Sequence, residues 1–388
     1  MPKNASRKIL IVAAETSSSL YAQRLLEHWK EQGVEVEAFG IGSKDMEKLG
    51  FECLGRAEEL AVVGIQEVIS HWGVIKKAFY DLLDAAEKRK PDVVLLLDYP
   101  DFNLRLAKKL KKLNLPVVYY ISPQIWAWRQ GRVNLIRKII SKMLVLFPFE
   151  VDFYQKHNVK AEFVGHPLLD ELNPKFQDAA YRSMHRKKYG VLDGELLLGL
   201  MPGSRRSELK HHLKVQIETA QLLCAKHPQL KVALFVAPNF SVEEMRSQLE
   251  GLDFPLMLIK DEPFEMINLA DFVLCASGTA TLMVGLLAKP MVVMYKMNSF
   301  TAFLARRFVT ATAHFGLINL ILNGRVVPEV FQQEANPQKM SELLEQWIKS
   351  PEKREKVAGE LAQSRERLGD RGATKRVAKA LEEYWVRP

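Results

Sequence analysis

The chain alternates short, continuous apolar runs with longer stretches whose apolar residues recur at helical spacing. Ile9 to Ala14 is the first run, and the segment from Tyr21 to Trp29 that follows it has helical spacing. Because strands that are covered on both faces read as unbroken apolar runs, this rhythm predicts a parallel sheet with helices on both sides. The later runs of the first half are Val93 to Leu97, Val117 to Ile121, Met143 to Phe147 and Phe163 to Val164.

The same rhythm restarts after a polar, basic stretch from Asn173 to Tyr189. The chain has 388 residues, which is enough for two hydrophobic cores at roughly 150 residues per domain. We therefore predict an α/β fold with two doubly wound, Rossmann-like domains over residues 1–175 and 190–365. The runs of the second half are Leu196 to Met201, Val232 to Val236, Leu256 to Ile259, Phe272 to Ala276 and Met291 to Met294.

The last segment, residues 366–388, is predicted to contain a helix that begins near Ala373. An amphipathic helix needs a surface to cover its apolar face. We expect this face to pack back on the first domain or on a partner subunit. Its apolar residues are Ala373, Val377, Ala380, Leu381 and Tyr384.

Composition narrows the class of protein without choosing a ligand. Lys and Arg number 55 against 46 Asp and Glu, and the net charge of +9 favours phosphates, nucleic acid or an anionic membrane as partners. Three cysteines are too few for a disulfide framework or a zinc cluster, which fits a reducing cytoplasm. No signal peptide is read in Met1 to Lys8, and no apolar run reaches the roughly 18 residues of a membrane span, so we expect any membrane contact to be peripheral.

Ligands of parallel α/β sheets bind beyond the carboxyl ends of the strands, so polar residues directly after strands are the candidates for chemistry. Asp98 and Asp101 follow the run Val93 to Leu97. Asp98 is the better candidate for a general base that takes a proton from an attacking hydroxyl. The alternative is that either aspartate only caps the helix that follows.

Two loops of the second domain have the composition of a phosphate site. Gly203, Ser204, Arg205 and Arg206 follow the first strand, and paired arginines suit a phosphate oxyanion. A second loop, Ser277 to Thr279, follows another strand and opens a helix whose free N–H groups favour anions. Together they predict a two-sided diphosphate site at one sheet edge. The alternatives are a solvated basic helix start for the first loop and an ordinary N-cap turn for the second.

Aromatic and apolar residues in loops remain open between packing and contact with lipid. Trp126 and Trp128 are interpreted as core residues, since large aromatic side chains are usually buried. The run from Ala61 to Ile65 lies between charged residues and is either core or an exposed patch that contacts lipid.

Basic stretches and one histidine have simple structural interpretations. Lys108 to Lys112 and Arg182 to Lys188 are most simply solvated helix faces, with attraction to anionic lipid as the alternative. His166 is interpreted as a hydrogen-bonded hinge residue, although it could touch a substrate phosphate. The chain carries neither metal-ligand spacing nor a P-loop nor a GxGxxG fingerprint, so we predict no metal site and no cofactor.

These segments, taken in order along nearly the whole chain, resemble the lipid-A-disaccharide synthase family. Any one of them alone would be weak, and their order and the shared length make the resemblance specific. The motifs are Ala14-Glu15-Thr16-Ser17, Glu59-Leu60-Ala61-Val62-Val63-Gly64, Asp98-Tyr99-Pro100-Asp101-Phe102-Asn103, Ser122-Pro123-Gln124-Ile125-Trp126-Ala127-Trp128-Arg129, Gly165-His166-Pro167, Pro202-Gly203-Ser204-Arg205, Ser277-Gly278-Thr279-Ala280 and Val326-Val327-Pro328-Glu329.

The resemblance implies a GT-B glycosyltransferase with two domains facing a cleft, the acceptor on the first and the UDP-sugar mainly on the second. It implies that Asp98 deprotonates the acceptor hydroxyl of 2,3-diacylglucosamine 1-phosphate. That hydroxyl would attack the anomeric carbon of UDP-2,3-diacylglucosamine with inversion and expel UDP. It also implies a peripheral enzyme on the cytoplasmic side of the anionic inner membrane, no nucleic-acid partner, and a possible homodimer through the C-terminal helix.

Residue by residue, the resemblance divides the site into two sides. The implied acceptor side comprises Glu15, Ser17, Asp101, Asn103 and Trp126. The implied nucleotide and diphosphate side comprises Ser204, Arg205, Arg206, Ser277, Gly278, Thr279, Asn319 and Glu329.

The chain departs from the family pattern at two places. Ser18 and Ser19 stand where the first loop of the family carries glycine and aspartate, and Met283 stands where the family carries glutamate. A thioether is a weak hydrogen-bond acceptor, and losing an acceptor for a polar ligand costs on the order of 1–3 kcal/mol. Two alternatives therefore stay open: a divergent paralogue that binds lipid or nucleotide with little turnover, and a GT-B transferase with another UDP-sugar donor.

Overall fold

The computed structural model describes residues 7–60, 72–126, 130–296, 314 and 316–385. The chain divides into two compact units. Unit 1 comprises Met1–Asp170 and Asp370–Pro388, and unit 2 comprises Glu171–Gly369. The apolar run Ala61 to Ile65 and Trp128, which the sequence singled out, lie outside the described residues.

Unit 1 is built on a seven-stranded sheet in the order β3-β2-β1-β4-β5-β6-β7, and its described strand pairs are all parallel. The continuous apolar runs form its centre, and β4 is buried along its whole length. This confirms the predicted parallel sheet. The strands are β1 (Arg7–Ala13), β2 (Val36–Gly42), β3 (Glu52–Arg56), β4 (Val93–Leu97), β5 (Val117–Tyr120), β6 (Lys142–Val145) and β7 (Ala161–Phe163).

Helices of unit 1 connect these strands, and short 3-10 helices cover Lys111–Leu113 and Gln130–Arg132. The α-helices are α1 (Thr16–Glu31), α2 (Lys44–Glu47), α3 (Ala57–Leu60), α4 (Trp72–Arg89), α5 (Pro100–Leu110), α6 (Val133–Ile139), α7 (Pro148–Lys156) and, reaching the boundary, α8 (Leu168–Glu171).

Unit 2 repeats the architecture with a six-stranded sheet in the order β10-β9-β8-β11-β12-β13, again with parallel pairs. The strands are β8 (Leu197–Met201), β9 (Lys231–Phe235), β10 (Met257–Ile259), β11 (Phe272–Ala276), β12 (Met291–Tyr295) and β13 (Glu329–Phe331). The helices are α9 (Ala179–Lys188), α10 (Arg206–Lys226), α11 (Val242–Ser247), α12 (Pro263–Leu269), α13 (Ala280–Leu286), α14 (Leu317–Leu322), α15 (Pro337–Lys349), α16 (Pro351–Ala362) and α17 (Ser364–Arg367), with a 3-10 helix at Pro174–Gln177.

The sequence analysis did not predict three of the strands, β2, β3 and β13. β2 contains two glycines and a glutamate, and β3 is an edge strand that is exposed or half-buried at every residue. β13 has three residues and forms the other sheet's edge. β3 and β13 lie at sheet edges and lack the burial on both faces that produces a continuous apolar run, whereas β2 is buried from Ala38 to Gly42 and its apolar run is interrupted by glycines and a glutamate.

The basic segment before β8 is not the solvated helix face that the sequence analysis favoured. Helix α9 belongs to unit 2, and Arg186 is 5% exposed. Arg182 and Arg186 both donate to the Leu269 carbonyl oxygen and to the Asp271 carboxylate, at 2.6–3.2 Å. Buried guanidinium groups need such acceptors. The second core therefore begins before residue 190.

The final helix, α18 (Ala373–Glu382), packs on unit 1, which is one of the two predicted packings. Val377 and Leu381 are buried, and Trp385 beyond the helix lies 5.1 Å from Trp29 of α1, between ring centroids. The apolar face of α18 is thus covered by its own chain.

Among the described residues, no helix is both long and apolar enough to cross a bilayer.

Candidate active site

Asp98 lies in a strained turn at the carboxyl end of β4. Asp98 and the next residue, Tyr99, both have positive φ angles, +46° and +45°. Two successive non-glycine residues in this region cost energy that the surrounding structure must supply, and such strain is concentrated at functional sites. Pro100 then begins α5. The turn places Asp98 at the edge where a parallel sheet presents its ligands.

Asn103 holds this turn from within α5. It is fully buried, and its Nδ2 donates to the carbonyl oxygens of Leu97 at 3.1 Å and Asp98 at 2.8 Å. The hydroxyl of Tyr119 on β5 also donates to the Asp98 carbonyl oxygen, at 2.5 Å. Asn103 is therefore a positioning residue for the Asp98 backbone, although the resemblance implied a place on the acceptor side.

The first loop begins α1 and lies near this turn. Burial raises the pKa of the Tyr99 hydroxyl, and the charges of Glu15 and Asp101 raise it further. Glu15 is the N-cap of α1, and Ser17 is exposed in the first turn. Asp101 is exposed and forms an ion pair with Arg132 at 2.5 Å. Glu15 and Asp101 thus both act electrostatically on the residue next to Asp98.

Ser18 and Ser19, which depart from the family pattern, are both buried. The Ser18 hydroxyl accepts the Glu15 N–H at 3.0 Å and donates to the Glu15 carbonyl oxygen at 2.8 Å. The Ser19 hydroxyl donates to the Ala13 carbonyl oxygen at 2.9 Å. Both hydroxyl groups therefore close the loop and start the helix.

Trp126 is hydrogen-bonded to a buried carboxylate that the sequence analysis missed. Its indole Nε1–H donates to Oε1 of Glu150 at 3.2 Å, and its ring packs edge-on against Phe149 with centroids 5.0 Å apart. Glu150 is 2% exposed, and burial raises its pKa to about 7. Its other oxygen accepts the N–H groups of Leu146 and Phe147 at 3.2 and 3.1 Å.

Ser122 after β5, Tyr154 on α7 and His166 after β7 are further buried polar residues of this part of unit 1. The hydroxyl groups of Ser122 and Tyr154 are 2.7 Å apart. His166 is buried, and its Nδ1 accepts the Leu168 N–H at 3.2 Å, as expected of a hydrogen-bonded hinge residue. Burial lowers the pKa of His166 to about 3, so the ring is neutral at ordinary pH.

In unit 2 the loop after β8 is arranged around Glu208. Its Oε2 accepts the N–H groups of Ser204 at 2.9 Å and Arg205 at 3.2 Å. Gly203 has φ of +123°, and a Cβ there would lie 2.3 Å from the same oxygen. Glycine is therefore required at this position. In this structure, the two backbone N–H groups of the loop that the sequence analysis assigned to a diphosphate bind a carboxylate of the chain itself.

The two neighbouring arginines are held differently. Arg205 lies 3.4 Å from Glu208 through Nη1, and its side chain is half exposed. Arg206 is 78% exposed and forms an ion pair with Glu244 of α11 at 2.7 Å. The structure thus directs Arg205 toward the loop and Arg206 toward α11, which separates two residues that the sequence analysis treated as one pair.

The second loop follows β11, which is the sheet neighbour of β8, so both loops lie at the same edge as predicted. Ser277 donates its N–H to the Met294 carbonyl oxygen at 2.9 Å. Gly278 has φ of +149°, and the exposed Thr279 precedes α13. Met283 is half-buried within α13.

A buried histidine, also missed from sequence, joins strand ends at this edge. Nδ1 of His212 lies 2.8 Å from the Pro202 carbonyl oxygen after β8, and Nε2 lies 3.1 Å from the Lys296 N after β12. Burial raises the pKa of Tyr295, at the end of β12, and the charge of Glu208 adds to the effect. Glu208 therefore acts on the end of β12 as well as on the loop after β8.

Asn319 and Glu329 form one unit. Asn319 is fully buried, and its Oδ1 accepts the Val327 N–H at 3.0 Å. Its Nδ2 donates to the Val327 carbonyl oxygen at 2.9 Å and to Oε1 of Glu329 at 2.7 Å. Gly316 donates its N–H to the same Glu329 oxygen at 2.9 Å. Asn319 is therefore a positioning residue for Glu329, although the resemblance implied a nucleotide contact.

Glu150 and Glu208 share a sequence signal. Each is the third residue of its helix, and its carboxylate reaches back to the N–H groups of the preceding loop. A glutamate three residues after a helix N-cap is the acidic half of a capping box. No spacing predicts that His212 bridges two strand ends. Among the described residues, no group of three or more His, Cys, Asp and Glu side chains is placed to hold a metal ion.

Comparisons with known proteins agree with this architecture. The family model described as lipid-A-disaccharide synthetase matches residues 9–383. The chain is 36% identical over 379 residues to the lipid-A-disaccharide synthase of Geobacter sulfurreducens, and the aligned region covers 97% of each chain. It is 38% identical over 375 residues to that of Myxococcus xanthus, which covers 96% of each chain.

Solved structures extend the likeness to the fold alone. The UDP-GlcNAc 2-epimerase of Neisseria meningitidis, bound to UDP-GlcNAc, has a TM-score of 0.64 at 14% identity and covers 97% of this chain and 100% of that one. MurG of Acinetobacter baumannii has a TM-score of 0.57 at 16% identity, with 97% and 99% covered. The two α/β units thus have the fold of GT-B glycosyltransferases and related epimerases. By its sequence, the chain belongs to the lipid-A-disaccharide synthase family of glycosyltransferases.

Proposed function

We propose that the protein transfers 2,3-diacylglucosamine from its UDP-activated form to 2,3-diacylglucosamine 1-phosphate, which yields the disaccharide 1-phosphate and UDP. The observation that carries the proposal is the strained turn at Asp98, which Asn103 and Tyr119 hold at the carboxyl edge of the unit 1 sheet. Backbone strain of this kind is concentrated at functional sites, so in a chain of this family it favours a direct role for Asp98 in the reaction.

The proposed step is a single inverting displacement. The acceptor hydroxyl attacks the anomeric carbon of the donor, and the bond from that carbon to the β-phosphate oxygen of UDP breaks. The hydroxyl proton passes to the Asp98 carboxylate, and the electron pair of the broken bond leaves with UDP. The transition state has oxocarbenium character, so most of the stabilisation is required at the departing diphosphate.

Unit 2 supplies groups of the right chemistry for the donor. Arg205 and the N–H groups of Gly278 and Thr279 suit the diphosphate. Glu329, oriented by Asn319 and the Gly316 N–H, suits donor hydroxyl groups. We assign the acceptor to unit 1, with Glu15 and Trp126 as candidate contacts. The same proposal places the protein on the cytoplasmic face of the inner membrane, where both lipid substrates are anionic.

The test is a product assay with both lipid substrates and purified full-length protein. We expect disaccharide 1-phosphate and UDP in equal amounts, and a loss of 100-fold or more in kcat for Asp98→Asn, because that variant removes the general base. The Asp84→Asn variant, which removes an exposed carboxylate of α4, should match the wild type. Absence of product from folded wild-type protein would refute the proposal.

Met283 favours a second candidate, a transferase of the same fold with another UDP-sugar donor. A thioether offers little to a donor hydroxyl where the family pattern has a carboxylate. Competition among UDP-sugars separates the two: turnover of a UDP-sugar without acyl chains at a rate above that of the diacyl donor would favour the second candidate. If UDP stabilises the folded protein but no donor is turned over, the chain is instead a paralogue that binds nucleotide without catalysis.

A further inference from the structure

Glu150 is a buried carboxylate for which the proposed reaction has no role. It is the third residue of α7, directly after β6, and its side chain is 2% exposed. Acidic side chains are rarely buried this deeply unless they are paired or fully hydrogen-bonded. The chemistry of its neighbours therefore decides what the carboxylate does.

Three neutral N–H donors bind the two oxygens. Oε2 accepts from the backbone of Leu146 and Phe147, at 3.2 and 3.1 Å. Oε1 accepts from the indole of Trp126, at 3.2 Å, and this N–H belongs to another element. Within the part of the chain that the structure describes, Glu150 forms no ion pair. One oxygen thus belongs to its own helix start, and the other connects the segment after β5 to the segment after β6.

The elements around the carboxylate contribute polar but uncharged groups. Ser122, from the segment after β5, hydrogen-bonds the carboxylate, and its hydroxyl is 2.7 Å from that of Tyr154 on α7. Burial raises the pKa of Tyr154 above the range in which it titrates in ordinary buffers. His166, after β7, contacts Phe147 with centroids 5.7 Å apart and is neutral, because burial lowers its pKa to about 3.

We propose that Glu150 is a positioning residue for Trp126, and that its carboxylate fixes the segment of residues 122–126 at the edge of unit 1 assigned to the acceptor. This inference rests on the proposed function for the identity of the acceptor. Trp126 is half-buried, so its indole has one face for packing against Phe149 and an exposed part for a ligand. An acylated sugar presents apolar surface, which an aromatic ring held by its N–H matches well.

The contact depends on the charge of Glu150. A carboxylate accepts hydrogen bonds about twice as strongly as a neutral carboxyl group. Since the pKa of Glu150 is raised to about 7, the group is ionised above neutrality and protonated below it. The hold on Trp126 is therefore strong above pH 7 and weak below it. The KM for the acceptor should rise as the pH falls through 7, in addition to any effect of Asp98 on kcat.

The first experiment reads the contact without any substrate. Tryptophan fluorescence of wild-type protein, minus that of Trp126→Phe, is followed from pH 5 to pH 9. We expect a transition with a midpoint near 7 that is absent in Glu150→Gln. It should persist in Trp385→Phe, whose buried Nε1 has no hydrogen-bond acceptor among the described residues. No transition, or one that survives in Glu150→Gln, would overturn the inference.

The second experiment measures acceptor KM and kcat separately, at pH 6 and pH 8. Glu150→Gln and Trp126→Phe should each raise the acceptor KM at pH 8 about 5- to 10-fold, the loss expected for one hydrogen bond. The donor KM should stay within twofold. The double variant should be no worse than either single variant, because both remove the same contact.

Failure of this inference is distinguishable from failure of the proposed function. If the wild type forms no disaccharide, the function fails, and the fluorescence transition still decides whether Glu150 holds Trp126. If the wild type is active but Glu150→Gln changes kcat and both KM values equally at each pH, Glu150 has only a structural role and the inference is wrong. If Glu150→Gln does not fold, the wild-type transition and the Trp126→Phe kinetics decide alone.

Discussion

Both units have a capping glutamate at the carboxyl edge of the sheet, but the two glutamates differ in burial and in the charge of their neighbours. Glu150 in unit 1 and Glu208 in unit 2 are each the third residue of the helix after a strand, and each carboxylate accepts two N–H groups of the preceding loop. Glu150 is buried and receives an indole N–H as its third donor. Glu208 is partly exposed and lies beside a guanidinium group.

The difference indicates that a capping glutamate is structural in itself and that its neighbours decide what else it does. A cation beside Glu208 can exchange one anion for another, so a diphosphate that approaches Arg205 competes with the carboxylate for the same partners. The donors around Glu150 are neutral, so they do not favour the exchange of its carboxylate for another anion. The charge of Glu150 depends instead on the pH.

Arg205 should dominate the donor side, and Arg206 should contribute little. Arg205→Ala is expected to lower kcat/KM for the donor about 100- to 1,000-fold, because it removes a charged donor from the departing diphosphate. Arg206→Ala should cost less than threefold, because that side chain is exposed and paired with Glu244. Initial rates against donor concentration measure both. Equal losses for the two variants would contradict the separation of the arginines.

Glu150 should make stability fall as the pH rises. Its folded pKa of about 7 lies above the value of 4.5 for an ordinary glutamate, so the folded state holds the proton more tightly. The contribution of Glu150 to the unfolding free energy should therefore decrease between about pH 4.5 and pH 7, by up to about 3 kcal/mol. The decrease is measured as the difference between denaturant titrations of the wild type and of Glu150→Gln, because buried His166, whose pKa is lowered to about 3, contributes a slope of the opposite sign in both proteins.

A matched acid in the same unit has the opposite sign. The hydrogen bond from Lys142 lowers the pKa of Glu383, so that carboxylate stabilises the folded state once it is ionised. Its contribution is present above the unfolded pKa and is lost as the pH falls through the lowered value. Glu383→Gln should therefore change stability at neutral pH and leave the decrease between pH 4.5 and pH 7 in place. If it removes that decrease, Glu150 is not its source.

Asn103 should matter for both stability and rate. Asn103→Ala removes the amide donor from the carbonyl oxygens of Leu97 and Asp98, leaves Tyr119 as the side-chain donor to Asp98, and is expected to cost about 2 kcal/mol of unfolding free energy. The strained turn at Asp98 then relaxes, and we expect kcat to fall at least 10-fold at temperatures where the variant is fully folded. Thermal unfolding and single-turnover rates measure the two effects separately. A variant with lower stability and normal kcat would show that the turn needs no help from Asn103.

Ser18 should have the smallest effect. Ser18→Ala removes one cap of α1 and should cost about 1 kcal/mol of stability. Because the hydroxyl bonds to Glu15 within the loop and to no other residue that the structure describes, acceptor and donor KM should change less than twofold. A large change in either KM would place Ser18 among the ligand contacts, where the family pattern has a glycine.

Sequence reasoning identified most strands of both sheets, because burial on both faces leaves a continuous apolar run that can be read directly. It also located the loops after β8 and β11, since polar residues that follow a strand must lie at the carboxyl edge. It missed β3 and β13, which lie at sheet edges, and β2, whose glycines and glutamate interrupt the apolar run. It treated Arg182 to Lys188 as solvated, because no local pattern shows that Arg186 meets Asp271, 85 positions later.

The candidate site likewise has features that the sequence predicts and features that appear only in the structure. The family, the two α/β units and the candidate residues follow from the sequence, since motif order and strand patterning can be read from it directly. Which candidates face outward and which hold others in place depends on the folded chain: Asn103 and Asn319 are buried supports, and Glu150 is a buried acid that binds Trp126. The physical reason is that burial, and the partners that a buried group meets, depend on segments distant along the chain, and these set both hydrogen bonding and pKa.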